Sequence, residues 1–159
     1  MSNYSFRFAL QEDTHLVLKF IKELATYENM EDKLVITENV LRKWLFVDKR
    51  VEVIFVMEDN KEVGFVLFYN VYSTFSAKAG LFIEDLFVKP GYRKKGYGKA
   101  LIKQLANIAV ERGCQRLDWL CLDWNKPSID FYLSLGAQPL NEWTRYQITG
   151  EALKNLVSC

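Results

Sequence analysis

Histidine is nearly absent from this 159-residue chain: His15 stands alone, with no second histidine or cysteine at ligand spacing. A structural or catalytic metal is therefore not expected, and a Ser or Cys triad would have only His15 as its base. The three cysteines, Cys114, Cys121 and Cys159, are odd in number and form no C-x-x-C pair, which suits a reducing compartment rather than a disulfide framework. Charge of one sign is lacking as well, since 21 Lys+Arg meet 20 Asp+Glu, so no global field calls for nucleic acid or an anionic membrane as partner. Apolar runs such as Val53–Met57 fall far short of the ~20 residues that span a bilayer. The stretch Met1–Arg7 has no signal-peptide apolar core, and a cytoplasmic protein is the expectation.

What is present is the balance of one soluble globular domain over residues 1–159: 50% hydrophobic, 26% charged, with 11 Phe, 8 Tyr and 4 Trp to fill a core. At this size folding buries roughly 70% of the surface of the unfolded chain, so no staple is needed. Tyr4, Phe6 and Phe8 alternate with Ser5 and Arg7, predicting a half-buried strand. Asp13-Thr14 supplies an N-cap for a helix to about Tyr27, with Leu16, Phe20, Ile21 and Leu24 on one face. A shorter helix starts near Thr37 and carries Val40, Leu41, Trp44 and Leu45. Strands follow over 51–58 and 62–72, joined by an Asp59-Asn60-Lys61 turn, and a third over 79–88 is apolar except for Glu84 and Asp85.

Pro90-Gly91 ends that strand, and a glycine-containing stretch opens a helix in which Leu101, Leu105, Ile108 and Ala109 recur, with Gly113 to end it. Residues 116–123 read as a strand, and Asn125-Lys126-Pro127 starts a helix that ends at Gly136. A strand over 143–149 and a helix from Gly150 complete the chain. The strand, loop, helix, strand order over 79–123 is a crossover unit behind an antiparallel hairpin. The fold class is α/β, with a mixed, mostly antiparallel sheet flanked by helices. The glycine loop then lies at the carboxyl end of a strand, where α/β proteins bind ligands.

That loop reads Val88-Lys89-Pro90-Gly91-Tyr92-Arg93-Lys94-Lys95-Gly96-Tyr97-Gly98-Lys99. It is not a P-loop, because Tyr97-Gly98 stands where Lys and Ser or Thr are required, and it is not a dinucleotide fingerprint, because Leu101 stands where Gly or Ala is required. Gly96 and Gly98 allow backbone N–H groups to approach a ligand, and the following helix N-terminus offers unpaired donors to an anion. Arg93, Lys94, Lys95 and Lys99 add charge at the same turn. Taken alone, these residues also suit a basic surface turn.

Arg93-x-x-Gly96-x-Gly98, after Leu86-Phe87-Val88, resembles the acetyl-CoA pyrophosphate loop of the GNAT-type N-acetyltransferases. The resemblance extends to Leu24-Ala25-x-Tyr27-Glu28, to Glu84-Asp85-x-Phe87-Val88, and to Trp124-Asn125-x-Pro127-Ser128-Ile129-x-Phe131-Tyr132 with Gly136-Ala137. Together these motifs resemble the diamine (spermidine and spermine) branch with its thialysine-acetylating relatives. Two positions depart from it: Lys94 stands where the branch usually has glycine, and the hairpin before Glu84 is shorter.

The resemblance implies a GNAT-like acyl-CoA N-acyltransferase fold, acetyl-CoA as co-substrate, a small-molecule amine as acceptor and a homodimer. It places Leu86, Phe87, Val88, Arg93, Lys94, Lys95, Gly96, Tyr97, Gly98, Lys99, Asn125 and Ser128 at the cofactor, and Tyr27, Glu28, Glu84 and Asp85 at the amine. The backbone N–H groups of Leu86 and Val88 would hold the thioester carbonyl and the pantetheine arm. Asn125 either hydrogen-bonds that arm or only caps its helix. Tyr132 becomes the general acid to the thiolate, since a reference pKa of about 10 keeps it protonated at neutral pH.

Chemistry adds one demand. An alkyl amine with a pKa near ~10.4 is almost wholly protonated near pH 7.4, a penalty of roughly 4 kcal/mol, so a proton acceptor is needed. Glu84 is the candidate, acting through water while orienting the amine. By strict alternation it shares a face with Phe82, Leu86 and Val88 and leaves Asp85 on the other, unless a bulge intervenes. The alternative is that Glu84 and Asp85 are only solubility charges on an edge strand. Glu28, Glu31 and Asp32 suit a polycation or a solvated helix end. Acetylation of a protein or peptide amine and a non-catalytic acyl-CoA sensor are the alternatives.

Overall fold

Five strands align in chain order in one sheet: β1 (Tyr4–Phe8), β2 (Glu52–Glu58), β3 (Lys61–Ser73), β4 (Lys78–Val88) and β5 (Leu117–Trp119). Neighbours pair antiparallel except β4 with β5, so the sheet is mixed and mostly antiparallel, as expected. The structure is a computed structural model describing residues 3–158. Cys159, and Met1-Ser2 of the stretch read for a signal peptide, lie outside the described residues. At the β2–β3 hairpin, Asp59 and Asn60 have φ of 49° and 61°, a two-residue turn whose twist matches the strands. Lys61 already pairs with Glu58, so the turn is one residue shorter than the sequence suggests.

Helix α1 (Thr14–Tyr27) and the short α2 (Glu38–Arg42), continued by a π-helical turn over Lys43–Val47, share a core with one face of the sheet. Val17, Phe20 and Leu24 from α1 and Leu41 from α2 meet Val53, Phe55, Phe65, Leu67 and Phe87 there. Phe20 stacks on Phe65 with ring centroids 5.1 Å apart. Burying such a side chain is worth about 1.5–3 kcal/mol, which far exceeds any local propensity in these helices. The alternate residues Ile54, Val56, Val66 and Phe68 are also buried, and α3 (Tyr97–Glu111) packs against the sheet with Leu101 and Leu105 fully buried.

Asp13 precedes α1 as expected, but its carboxylate does not cap that helix. It accepts the Leu10 N–H at 2.7 Å and takes two bonds from the Arg7 guanidinium, at 2.6 and 2.9 Å. The bidentate, charge-assisted geometry outcompetes a single neutral cap. Arg7 also donates to Glu62 at 2.6 Å, which ties β1, the entry to α1 and β3 together.

The chain divides into two compact units, the first running to Leu120 and the second starting at Cys121. The second contains α4 (Lys126–Ser134) and α5 (Gly150–Val157). Two expectations are corrected. The strand predicted over 116–123 is only Leu117–Trp119, because β5 pairs with Leu81–Ile83 and the regular ladder of β4 ends at the next residue. No strand forms over 143–149 among the described residues, although Trp143, Tyr146 and Ile148 favour one; propensity does not make a strand without a paired edge. No helix among the described residues is long and apolar enough to cross a membrane.

Candidate active site

The site is set by one extra residue in β4. Leu67 pairs with Asp85 and Phe68 with Ile83, so Glu84 bulges out of the ladder with no residue opposite it. Directly opposed residues share a face. Leu67 lies in the core beside α1, so Asp85 faces α1, whereas Ile83, opposite Phe68, faces the other way. Tyr69, two residues after Leu67, is on the α1 side, and its hydroxyl donates to Glu84 Oε2 at 3.1 Å. Glu84 and Asp85 therefore both face α1. Strict alternation had put Glu84 with Leu86 and Val88 and Asp85 opposite; the bulge changes the parity.

Glu28, at the C-terminal end of α1, completes the cluster. Burial raises its carboxyl above the ordinary range. Asp85 is pushed up to about 7, by burial first and then by the charges of Glu84 and Glu28. It is half-buried in surface terms, but close packing around it leaves water little room to solvate its charge. Tyr69 is the residue that sequence reading missed. Besides its bond to Glu84 it stacks on Phe82, centroids 5.2 Å apart, and only the β3–β4 register, which pairs 69 with 82, would have pointed to it. Among the described residues no group of three His, Cys, Asp or Glu side chains is arranged to hold a metal.

The carboxyl half of β4 is open on one side. Lys89 N–H donates to Val63 at 2.9 Å, and in an antiparallel ladder bonded pairs alternate, so Phe87 bonds to Phe65 while Leu86 and Val88 turn their N–H groups away from β3. β5 does not pair past Ile83, so no strand among the described residues meets those groups. The Phe87 side chain is core, which leaves Leu86 and Val88 as the outward donors.

Arg93 turns back to this strand. Its Nε–H donates to the Val88 carbonyl at 2.9 Å, and its guanidinium lies over the rings of Tyr27 and Phe87, at 4.9 and 5.2 Å. Gly96 caps α3 with φ of 86°, a conformation glycine adopts freely, and no side chain caps the first turn. A Cβ added there would meet nothing within 4 Å, so the N–H groups at the start of α3 are approachable. Lys94 and Lys99 are exposed and make no ion pair among the described residues. Lys95 instead reaches Glu58 at 3.3 Å. Tyr97 is buried and its hydroxyl donates to the same Glu58, so its side chain is structural and only its backbone faces the loop. These residues fit the phosphates of a nucleotide cofactor.

Within the second unit, Asn125 is buried and its side-chain oxygen accepts the Ser128 N–H at 3.4 Å, capping α4. Tyr132 lies one helical turn beyond Ser128, half-buried, with its ring against Phe131.

The acetyltransferase (GNAT) family matches residues 18–137. This chain belongs to the GNAT acetyltransferase family. A thialysine N-epsilon-acetyltransferase of Sus scrofa is 34% identical across 98% of both chains. An L-ornithine N5-acetyltransferase of Arabidopsis thaliana is 44% identical over 98 residues, 62% of this chain and 43% of that one. Among solved structures, an integron cassette protein from the mobile metagenome of V. cholerae superimposes with a TM-score of 0.80 at 31% identity, covering 100% of this chain and 99% of that chain. The thialysine relative falls in the branch that the sequence motifs resemble. In this GNAT acetyltransferase the first unit brings Tyr27, Glu28, Glu84, Asp85 and Arg93 to the α1 side of β4. Such an arrangement suits a cationic ligand beside backbone donors that suit a developing oxyanion.

Proposed function

We propose that this enzyme transfers the acetyl group of acetyl-CoA to a primary amine of a small diamine, polyamine or thialysine-like amino compound. The observation that carries this reading is the set of three carboxyl groups, Glu84 and Asp85 on one face of β4 and Glu28 at the end of α1 that meets it, next to the outward N–H groups of Leu86 and Val88. The names of the thialysine and ornithine relatives, whose acceptors each carry a side-chain amine, support it.

In this reading Arg93 and the backbone of Gly96–Lys99 hold the phosphates, with Lys94 and Lys99 adding charge. Leu86 and Val88 N–H groups hold the thioester carbonyl and the pantetheine arm, with Asn125 and Ser128 assigned to the same arm by resemblance. The hydrogen bonds strengthen as the carbonyl oxygen gains charge, the differential binding that lowers a barrier. Glu84, fixed by the Tyr69 hydroxyl, orients the reacting ammonium, and Glu28 with Tyr27 holds the distal cation. Tyr132 supplies the proton that the departing thiolate takes. Free cysteines, with Cys114 buried and Cys121 half-buried, support a reducing, cytoplasmic setting, and the family resemblance supports a homodimer.

The test is acetyl-CoA-dependent thiol release with putrescine, spermidine, spermine, thialysine, ornithine, lysine and a lysine peptide, with product mass determined. Acetylation of one free amine upholds the reading and selects the substrate. Activity on the peptide alone moves the assignment to protein acetylation, and tight cofactor binding without turnover moves it to an acyl-CoA sensor.

A further inference from the structure

Glu84 and Asp85 are adjacent carboxyl groups on one face of β4, yet their surroundings differ. Glu84 is exposed and its Oε2 accepts a hydrogen bond from the Tyr69 hydroxyl at 3.1 Å. Asp85 is half-buried opposite Leu67, and among the described residues no hydrogen bond or ion pair engages its carboxyl group. Two neighbouring carboxyl groups in unlike environments divide the work of binding and proton transfer. We propose that Asp85 is the proton acceptor for the attacking ammonium, while Glu84 is the group that orients it. This assignment rests on the amine acetyltransferase reading above.

Charged and titratable groups come to Asp85 from every neighbouring element. On β4 there is Glu84, from α1 there are Tyr27 and Glu28, from β3 Tyr69, and from the following loop Arg93. The two carboxylates and burial raise its proton affinity to about 7. The Arg93 guanidinium is laid over the rings of Tyr27 and Phe87 and its Nε–H goes to the Val88 carbonyl, so these contacts engage groups other than the Asp85 carboxyl. An acceptor near 7 is closer in affinity to an alkylammonium than an ordinary carboxylate by about three powers of ten, and proton transfer is more efficient for it.

The step balances without a further reactant. One ammonium N–H bond breaks, its electron pair stays on nitrogen, and the proton goes to the Asp85 carboxylate. The freed pair forms the C–N bond at the thioester carbonyl carbon. The C–S bond breaks with its pair on sulfur, which takes up one proton. The surplus proton on nitrogen makes up for that one, and Asp85 returns its own to solvent once the amide has left.

The test compares wild type, Asp85→Asn, Asp85→Glu and Glu84→Gln on the amine that wild type acetylates and on the same amine fluorinated beside the nitrogen, which arrives largely neutral. Wild-type kcat/KM is expected to fall as pH drops below about 7, the range in which Asp85 becomes protonated. Asp85→Asn should bind acetyl-CoA normally, lose about 100-fold or more in kcat and lose that acid limb. Its deficit should shrink on the fluorinated amine, and Asp85→Glu should recover part of the rate with the limb displaced. Glu84→Gln should mainly raise the amine KM and keep the limb. The assignment is overturned if Asp85→Asn keeps the limb or loses equally on both amines, or if Glu84→Gln removes the limb. An active wild type with an equally active Asp85→Asn sinks the assignment alone. A wild type that binds acetyl-CoA and acetylates no amine sinks the amine reading and this assignment with it.

Discussion

Arg93 lies over the ring of Tyr27, 4.9 Å from its centroid, while its Nε–H holds the carbonyl of Val88 at 2.9 Å. One guanidinium thus links the glycine loop to the last turn of α1. Arg93→Ala is expected to raise KM for acetyl-CoA and for the amine together, each by about tenfold, the cost of one charge-assisted contact. Arg93→Lys should not recover them, because an ammonium cannot stack flat on the ring while donating sideways. Steady-state kinetics with each substrate varied in turn decides this.

Lys94 has φ of 62° at the position where the related branch usually carries glycine. The left-handed conformation costs an L-residue about 1–2 kcal/mol, partly offset by the greater chain entropy a glycine loses on folding. Lys94→Gly should therefore stabilise the protein by about 0.5–1 kcal/mol, measured as a rise in the urea unfolding midpoint at unchanged slope.

Glu28→Gln should raise KM for long, doubly charged amines about tenfold more than for short ones, because only the long ones carry a second cation to its end of the cluster. Equal weakening of both would remove Glu28 as the distal anchor.

Asp85→Asn should be more stable than wild type even as it loses activity. The Asp85 carboxyl titrates near 7 folded and near 3.8 unfolded, so between those values the folded state binds the extra proton and stability falls as pH rises. Above pH 7 the penalty is fully present. The variant escapes it, so its gain in melting temperature should be larger at pH 8 than at pH 4, read by calorimetry.

Tyr132→Phe should bind acetyl-CoA with unchanged affinity, by isothermal titration, while turnover drops about 100-fold or more, the usual contribution of a general acid. Unchanged turnover would remove Tyr132 from that role.

Local chemistry explains how much of this was legible in the sequence. Asp59-Asn60 tolerates left-handed backbone, Gly113 ends α3 with φ of 76°, and Phe20 and Leu24 recur at helical spacing, so each element announces itself within a few residues. The register of β4 does not. Glu84 and Asp85 interrupt an apolar run that carries no period of its own, and the extra residue exists only relative to Leu67 and Phe68 on the other strand. For the same reason Tyr69, an ordinary strand tyrosine, gave no sign of reaching Glu84. Residues 143–149 show the converse, a strong local preference that forms no strand among the described residues.

The bulge at Glu84 also bears on how such an enzyme can change over generations. Loss of that single codon would leave Ile83 and Asp85 as neighbours opposite Phe68 and Leu67, an unbroken ladder with every apolar side chain on its present face. The shortened descendant would keep its sheet and its outward Leu86 and Val88 donors but carry one acid on β4 in place of two. The number of acids that β4 presents on its α1 side is therefore set by one residue that the pairing of the sheet does not itself require.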